Sequence, residues 1–300
     1  MKDENSKIHT DLACERYRAD TDSEGVKYQE KRIGNLGISE LIISDEKSAR
    51  EQGISKGRYT TLFFSSLSEM QENEENELIE LLSEKLKAYA KKATKKDSLK
   101  GVSVLIAGLG NIQLTADAVG PLCARYITAT RHVSKEDPVI FERYFKSMVS
   151  VISPGVLAQT GIESFEIISS LCKKIDFDLI IAIDSLAARS CDRLATTIQI
   201  SDTGITPGSG IGNSRVRLDR ESLGVPVIAI GVPTVVESRT LIYDAIAKAK
   251  SKALSQEIER ILSEESSFFV SPKDSDVITE NAAKIISSSI NSAFNAELFL

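Results

Sequence analysis

Three short segments made almost wholly of apolar residues constrain the fold of this chain more than any other feature. They are Val102–Ala107, Leu179–Ile183 and Val227–Ile230, and stretches with helical periodicity separate them. Buried strands that alternate with helices are typical of a parallel sheet covered on both faces. The sequence therefore predicts an α/β fold: a mostly parallel sheet flanked by helices on both faces, with an additional smaller β-containing N-terminal part.

The remaining elements follow from apolar periodicity and turn residues, and together they predict a phosphorylase/hydrolase-like arrangement. Near the N-terminus, strands are predicted at Val26–Ile33, Ile38–Ser44 and Gly57–Phe64, and a helix at Glu74–Lys96. Later strands are predicted at Ser147–Ile152 and Thr197–Ser201, and helices at Ala118–Thr130, Gly161–Ile175, Ser238–Glu264 and Asp276–Phe294.

The domain organisation follows from where the apolar pattern begins. Residues 1–25 carry many charges and little apolar pattern, so we expect a flexible N-terminal arm. Residues 26–300 are expected to form a single α/β domain, in which residues 26–100 supply a β-hairpin and a helix. A chain of 300 residues is long enough for a sizeable core.

Composition excludes several classes of function. The net charge of −6 and the absence of Trp argue against binding to nucleic acid or to anionic membranes. No secretory signal or membrane-spanning stretch is evident, and the four cysteines form no CxxC pair, so a cytoplasmic protein is expected. With only two histidines, a His-rich zinc site is disfavoured, and no cofactor is expected.

The first candidate for chemistry is Asp117, which follows the strand Val102–Ala107 and the sequence Gly108-Leu-Gly-Asn111. The opening Gly-x-Gly suggests a dinucleotide site, but Gln113 stands where the third glycine of that fingerprint is required. From local sequence alone, Asp117 is also a good N-cap for the helix predicted from Ala118.

The second candidate is Asp184, which follows the apolar strand Leu179–Ile183. Ligands of such sheets bind beyond the carboxyl ends of the strands, where Asp117 is also expected. Two carboxyls held close together acquire different pKa values, so that one can act as general acid and the other as general base on water. A divalent metal held by the same acids is the open alternative, and a helix cap is the structural one.

A third stretch, Ser201–Asn213, combines Asp202-Thr203-Gly204 with a glycine-rich loop. The tripeptide also occurs in pepsin-like proteases, but those enzymes need two copies in a β-rich fold, so we interpret the match as chance. The glycine-rich loop can cradle a phosphate or lie against an extended peptide. We expect five residues to belong to loops that border a substrate groove: Asn111, Arg189, Asp202, Gly208 and Gly210.

Taken together, long stretches of the chain resemble the germination protease family of spore-forming bacteria, peptidase family A25. They are Ser153–Glu163, Ala182–Ser190, Thr197–Asn213 and Leu223–Val236. The resemblance implies an endopeptidase that degrades small acid-soluble spore proteins during germination. It also implies a self-processing zymogen, a homotetramer, a location in the forespore or spore core, and a fold related to hydrogenase-maturation proteases.

The resemblance also implies roles for particular residues. Asp117 and Asp184 match the proposed catalytic pair of the family, whereas Ala116 stands where the family's loop is expected to have proline. The family cuts after an acidic residue and before a large apolar one followed by Ala, so the predicted processing bond is Asp11–Leu12, with a propeptide of about residues 1–11. A nonenzymatic peptide- or nucleotide-binding module is the alternative from another functional class.

Overall fold

One nine-stranded sheet organises the protein in the computed structural model, which describes residues 10–19, 24–208, 215–242 and 268–295. The order of its first eight strands is β1-β2-β3-β7-β8-β6-β4-β5, and β9 pairs with β8. The strands are β1 (Val26–Ile33), β2 (Leu36–Ile43), β3 (Gly57–Phe63), β4 (Ser103–Gly108), β5 (Met148–Ile152), β6 (Leu179–Ala188), β7 (Thr197–Ser201), β8 (Val227–Glu237) and β9 (Phe269–Val270).

The sheet is mixed. Strands β5, β4, β6 and β8 are parallel neighbours, whereas β7, β3, β2 and β1 continue the sheet through antiparallel pairs. The predicted α/β class is confirmed, and the three most apolar segments are the central parallel strands. The N-terminal hairpin extends this same sheet, because β3 pairs with β7.

Two central strands are longer than predicted. β6 runs on to Ala188 and β8 to Glu237, whereas we expected them to end at Ile183 and Ile230. Each strand continues through residues that interrupt the apolar run, such as Asp184 in β6. The predicted strands ended too early because they were taken to end where the apolar run ends. This extension places Asp184 inside a strand.

Helices cover both faces of the sheet. The helices are α1 (Ala13–Arg16), α2 (Glu46–Gln52), α3 (Glu72–Thr94), α4 (Val119–Tyr126), α5 (Arg131–Glu136), α6 (Pro138–Tyr144), α7 (Leu157–Thr160), α8 (Ser164–Cys172), α9 (Arg220–Leu223) and α10 (Ser275–Phe294). On one face, α3, α4 and α10 pack on the larger apolar core, and α8 lies on the other face. Within the described ranges, no helix is long and apolar enough to cross a membrane.

Several predicted helices differ in extent. The expected Ala118–Thr130 helix is the shorter α4, and Gly161–Ile175 corresponds to α8. The short helices α2, α5 and α6 were not predicted, because none spans more than two turns. Most of the predicted helix Ser238–Glu264 lies outside the described residues.

The N-terminal segment is docked on the sheet, so the expectation of a flexible arm is wrong for its described part. Leu12 is fully buried in the second apolar core, and Ala13 is buried as well. The backbone N–H of Asp11 donates to the carbonyl of Ala187 at 2.9 Å. A single leucine among charged residues leaves no periodic pattern, which is why the docking was missed.

A close approach of two glycines holds β4 against α4. A methyl group on Gly108 would lie 2.1 Å from the carbonyl oxygen of Gly120, and one on Gly120 would lie 2.2 Å from that of Leu109. Only residues without a side chain permit this contact. The contact fixes the loop that follows β4, in which Asp117 lies.

We therefore expect Gly120→Ala to lower the free energy of unfolding by ~3 kcal/mol and the Tm by roughly 5 °C, because the added methyl meets backbone that cannot rotate away. Gly161→Ala is the matched control. Its added methyl has open space, so only the positive φ of 72° is penalised, at ~1 kcal/mol. Thermal unfolding followed by circular dichroism measures both. Equal shifts would contradict the importance of the close approach.

Candidate active site

The candidate site lies where β4 ends and β6 continues. The two strands pair up to Gly108 and Ile183, and the N–H of Leu109 still donates to the carbonyl of Ile183 at 2.8 Å. Asp184 is the next residue of β6. Beyond Gly108 the chain leaves the sheet and forms the loop that carries Asp117. The carboxyl of Asp184 and this loop line the same cavity.

Asp117 ends a short 3₁₀ helix, Thr115–Asp117, and its loop is closed by hydrogen bonds. The N–H of Asn111 donates to the carbonyl of Asp117 at 3.0 Å and to its Oδ2 at 2.9 Å. Gly110 adopts a φ of +113°, and a methyl there would lie 2.1 Å from the Asp117 carbonyl. The helix-cap interpretation of Asp117 is wrong. Ala118 occupies the N-cap position of α4, and no side chain caps that helix end.

The loop is also tethered from β8. The hydroxyl of Thr234 donates to the carbonyl of Ala116 at 2.6 Å. Ala116 stands where proline was expected to stiffen the approach to Asp117. The bond from Thr234 restrains the carbonyl of this same residue, so the loop is tethered here without a proline ring.

Asp184 is almost completely buried, with 4% of its surface exposed. Its Oδ1 accepts a hydrogen bond from the N–H of Ser185 at 2.9 Å. Because both residues lie within β6, neither caps a helix, and that alternative is also wrong. A carboxyl buried in this way is costly to ionise unless further partners compensate.

Asp117 and Asp184 line one cavity of ≈ 480 Å³, which also receives Arg215; we call it the acidic cavity. Its remaining walls are largely apolar and come from the loops after β4 and β5, the ends of β6 and β8, and β9. Lining residues include Leu109, Leu114, Val156, Ala158, Val235 and Phe269. The two carboxyls therefore face a cavity whose lining is largely apolar.

The two carboxyls differ in electrostatic environment. Burial raises the pKa of Asp117, which the Asn111 N–H and the charge of Arg215 partly offset. The pKa of Asp184 is raised well above its ordinary value, first by burial and then by the charge of Asp117. The charge of Asp11 raises it further, whereas Ser185 N–H and Arg215 act in the opposite direction. Asp184 therefore holds a proton to higher pH than an ordinary aspartate, and the two acids interact.

Arg215 is the residue of this site that sequence reasoning missed. It lines the acidic cavity and lowers the pKa of both acids, and its Nε lies 3.8 Å from Oε2 of Glu163. The one sequence feature that pointed to Arg215 is its position just after the glycine-rich loop Ser201–Asn213. Nothing in the local sequence showed that the side chain reaches the acids.

The other predicted site residues divide into two groups. Asn111 and Gly208 line the acidic cavity. Arg189 does not line it, and its N–H donates to Glu15 at 2.7 Å. Asp202 does not line it either, because its carboxylate accepts from the N–H of Arg58 and pairs with a lysine of α3. Gly210 lies outside the described residues.

The predicted processing bond lies near the site but not in its cavity. Asp11 lines a second cavity of ≈ 200 Å³ together with Gln199, and Leu186 of β6 lines both cavities. Leu12 is buried. Thus Asp11 is close enough for its charge to act on Asp184, although the Asp11–Leu12 bond is not in contact with the acidic cavity.

Among the described residues, the donor set of the acidic cavity does not fit a metal site. Within the part of the chain that the structure describes, no three His, Cys, Asp or Glu residues cluster as metal ligands. The acidic cavity supplies two carboxyls and a guanidinium whose charge would repel a cation.

Comparisons with known proteins agree with one another. Residues 4–260 match the germination protease family, Peptidase_A25. The germination protease of Caldanaerobacter subterraneus subsp. tengcongensis is 39% identical over 97% of this chain and 95% of its own length. That of Clostridium perfringens is 34% identical over 98% of this chain and 97% of its own.

Among solved structures, a [NiFe] hydrogenase maturation protease from Thermococcus kodakarensis aligns with 64% of this chain and 94% of its own, at 15% identity and a TM-score of 0.34. At that level the relation in fold to hydrogenase-maturation proteases stays a prediction. The sequence comparisons, by contrast, extend over nearly the whole chain. They show that this protein is a protease that belongs to the germination protease family.

Proposed function

We propose that this chain is an endopeptidase that begins the degradation of small acid-soluble spore proteins during germination, with Asp117 and Asp184 activating water without a cofactor. The observation that carries the proposal is the shared acidic cavity. Two acids, 67 positions apart in the sequence, line it together, and the charge of Asp117 acts on Asp184. Family membership supports proteolysis, and this geometry supports an aspartate mechanism.

The electrostatic asymmetry of the pair supports one distribution of the two roles. Asp184 retains its proton to higher pH, so it serves as the general acid that protonates the departing amide nitrogen. Burial raises the pKa of Asp117 as well, but the Asn111 N–H and the charge of Arg215 offset part of that effect and favour its ionised form. Asp117 therefore accepts a proton from water as the water oxygen attacks the peptide carbonyl, and the C–N bond breaks as the nitrogen gains its proton.

The wider proposal includes the biology that the family implies. The chain is made as a zymogen that cleaves itself at Asp11–Leu12, assembles as a homotetramer, and works in the cytoplasm of the forespore and in the spore core. Its partners are its substrate proteins, and it makes no direct contact with nucleic acid or membrane. The sequence Thr10-Asp-Leu-Ala13 supports the processing site, because it places an acidic residue before a large apolar one.

We expect Asp117→Asn and Asp184→Asn each to reduce cleavage of a spore-protein peptide by about 10³-fold or more, because the amide can neither accept nor supply the required proton. Peptide cleavage followed by mass spectrometry measures this. Asp202→Asn is the matched control, since Asp202 lies outside the acidic cavity, and it should cleave at the normal rate. Normal cleavage by both Asp117→Asn and Asp184→Asn would refute the mechanism.

The charge of Arg215 should set the pH range of activity. Because it lowers the pKa of both acids, Arg215→Ala should shift both limbs of the bell-shaped pH–rate profile to higher pH. Arg215→Lys should restore much of the normal position, and Arg220→Ala, an exposed control, should leave the profile in place. The pH dependence of kcat/KM is the measurement, and an unshifted profile in Arg215→Ala would argue against the field effect.

Asp184 should also reduce stability at high pH. Its pKa in the folded state lies above that of the unfolded chain, so its contribution to stability is lost as pH rises through the folded pKa. Asp184→Asn removes this loss and can still accept the bond from Ser185. We therefore expect Asp184→Asn to raise the Tm at pH 8 by roughly 3 °C or more, with a smaller gain at pH 5. A gain independent of pH would contradict the raised pKa.

A further inference from the structure

The arm segment, residues 10–16, is bound like a peptide ligand. Asp11 pairs twice with Ala187: its N–H donates to the Ala187 carbonyl, and its Oδ2 accepts from the Ala187 N–H, both at 2.9 Å. The side chain of Gln199 binds the two peptide groups that flank Leu12. Its Oε1 accepts from Ala13 N–H at 2.7 Å, and its Nε2 donates to the Asp11 carbonyl at 3.2 Å. These bonds satisfy the backbone on both sides of the buried Leu12.

Glu15 anchors the other end of the arm segment. Its Oε2 accepts from the N–H of Arg189 at 2.7 Å, and its Oε1 accepts from the N–H of Ser190 at 3.0 Å. The hydroxyl of Thr10 also donates to this carboxylate. Hydrogen bonds to an ionised acceptor are stronger than neutral ones. Glu15 therefore links both ends of the segment to the chain that follows β6.

In this arrangement the Asp11–Leu12 bond is kept from the acids. Its carbonyl is held by Gln199, and its N–H donates to the hydroxyl of Thr10 at 3.1 Å. No described residue of the arm segment lines the acidic cavity, and Leu186 stands as the wall common to both cavities. The bond must leave its position before water activated by the acids can attack it.

We propose that Ala187, Arg189, Ser190 and Gln199 form a peptide-binding site, the arm cradle, that takes a segment with the pattern acidic–large apolar–small–x–acidic. In this chain the ligand is residues 11–15. The cradle keeps the processing bond away from the acidic cavity, and release of Glu15 determines how fast the bond becomes available. This inference rests on the proposed self-processing, and it adds a site outside the catalytic pair.

The binding itself is tested without proteolysis, in a chain carrying Asp117→Asn. Amide hydrogen exchange of residues 10–16 reports how often the segment undocks. Adding Glu15→Gln should raise exchange at Asp11 and Ala13 by about 10-fold, because two charge-assisted bonds are lost. Glu24→Gln, which removes the same charge at an exposed residue, should leave exchange unchanged. Unchanged exchange in Glu15→Gln would overturn the proposal.

A second variant tests the cradle from the opposite side. Gln199→Glu keeps an acceptor for Ala13 N–H but places a carboxylate oxygen against the Asp11 carbonyl. Exchange at Asp11 and Ala13 should rise here too, while far-UV circular dichroism stays unchanged. Slow exchange in a folded Gln199→Glu protein would show that Gln199 does not hold the segment.

The consequence for processing is measured in chains with both acids intact. Appearance of an N-terminus at Leu12, followed by N-terminal sequencing, should be about 10-fold faster in Glu15→Gln than in Glu24→Gln. Faster exchange without faster processing would contradict the proposal that release of Glu15 determines the processing rate.

If the wild type cuts an added spore-protein peptide but does not process itself, this inference is wrong and the proposed protease function stands. Failure to cut either would remove the proposed function.

Discussion

The burial of Asp184 within an apolar strand is the constraint on which the rest of the site depends. A carboxyl at 4% exposure in the middle of β6 is poorly solvated, so its charged form is penalised. The protein does not offset this penalty with an ion pair from any residue that the structure describes. It places a second acid in the same cavity, a guanidinium at its wall and one backbone N–H on the carboxyl. The result is an acid whose pKa is raised well above its ordinary value beside a second acid whose pKa is also raised by burial.

The second acid reaches this position through backbone geometry. Asp117 belongs to no long element, and its place depends on the close contact of Gly108 with Gly120 and on the turn at Gly110. Each contact excludes a side chain, so the loop has little freedom to move Asp117 away. The Asp117 carboxyl is thus positioned by three residues that have no side chains of their own.

Sequence reasoning found the acidic pair because parallel strands deliver their ends to one edge of the sheet, and the apolar segments before Asp117 and Asp184 identified those strands. It could not decide whether either acid capped a helix, since a cap and a catalytic acid occupy the same local pattern after a strand. That question was settled by tertiary structure, in which Asp117 turns back to Asn111 and β6 continues past Asp184.

What the sequence hid were contacts between segments far apart in the chain. Arg215 acts on acids 98 and 31 positions away, and Gln199 bonds to residues 186 and 188 positions away. The expectation of a flexible arm failed for the same reason. Its polar residues, which by composition indicate disorder, find their partners in backbone groups of a distant strand.

One strand joins these two features. β6 presents Asp184 to the acidic cavity, and three residues later the backbone of Ala187 holds Asp11. The Asp11 carboxylate adds to the charge that keeps Asp184 protonated. Undocking of the arm segment would free both backbone groups of Ala187, and cleavage after Asp11 would then make the loss of that charge permanent. Loss of residues 1–11 would therefore change both the proton affinity of the buried acid and the peptide-binding edge beside it.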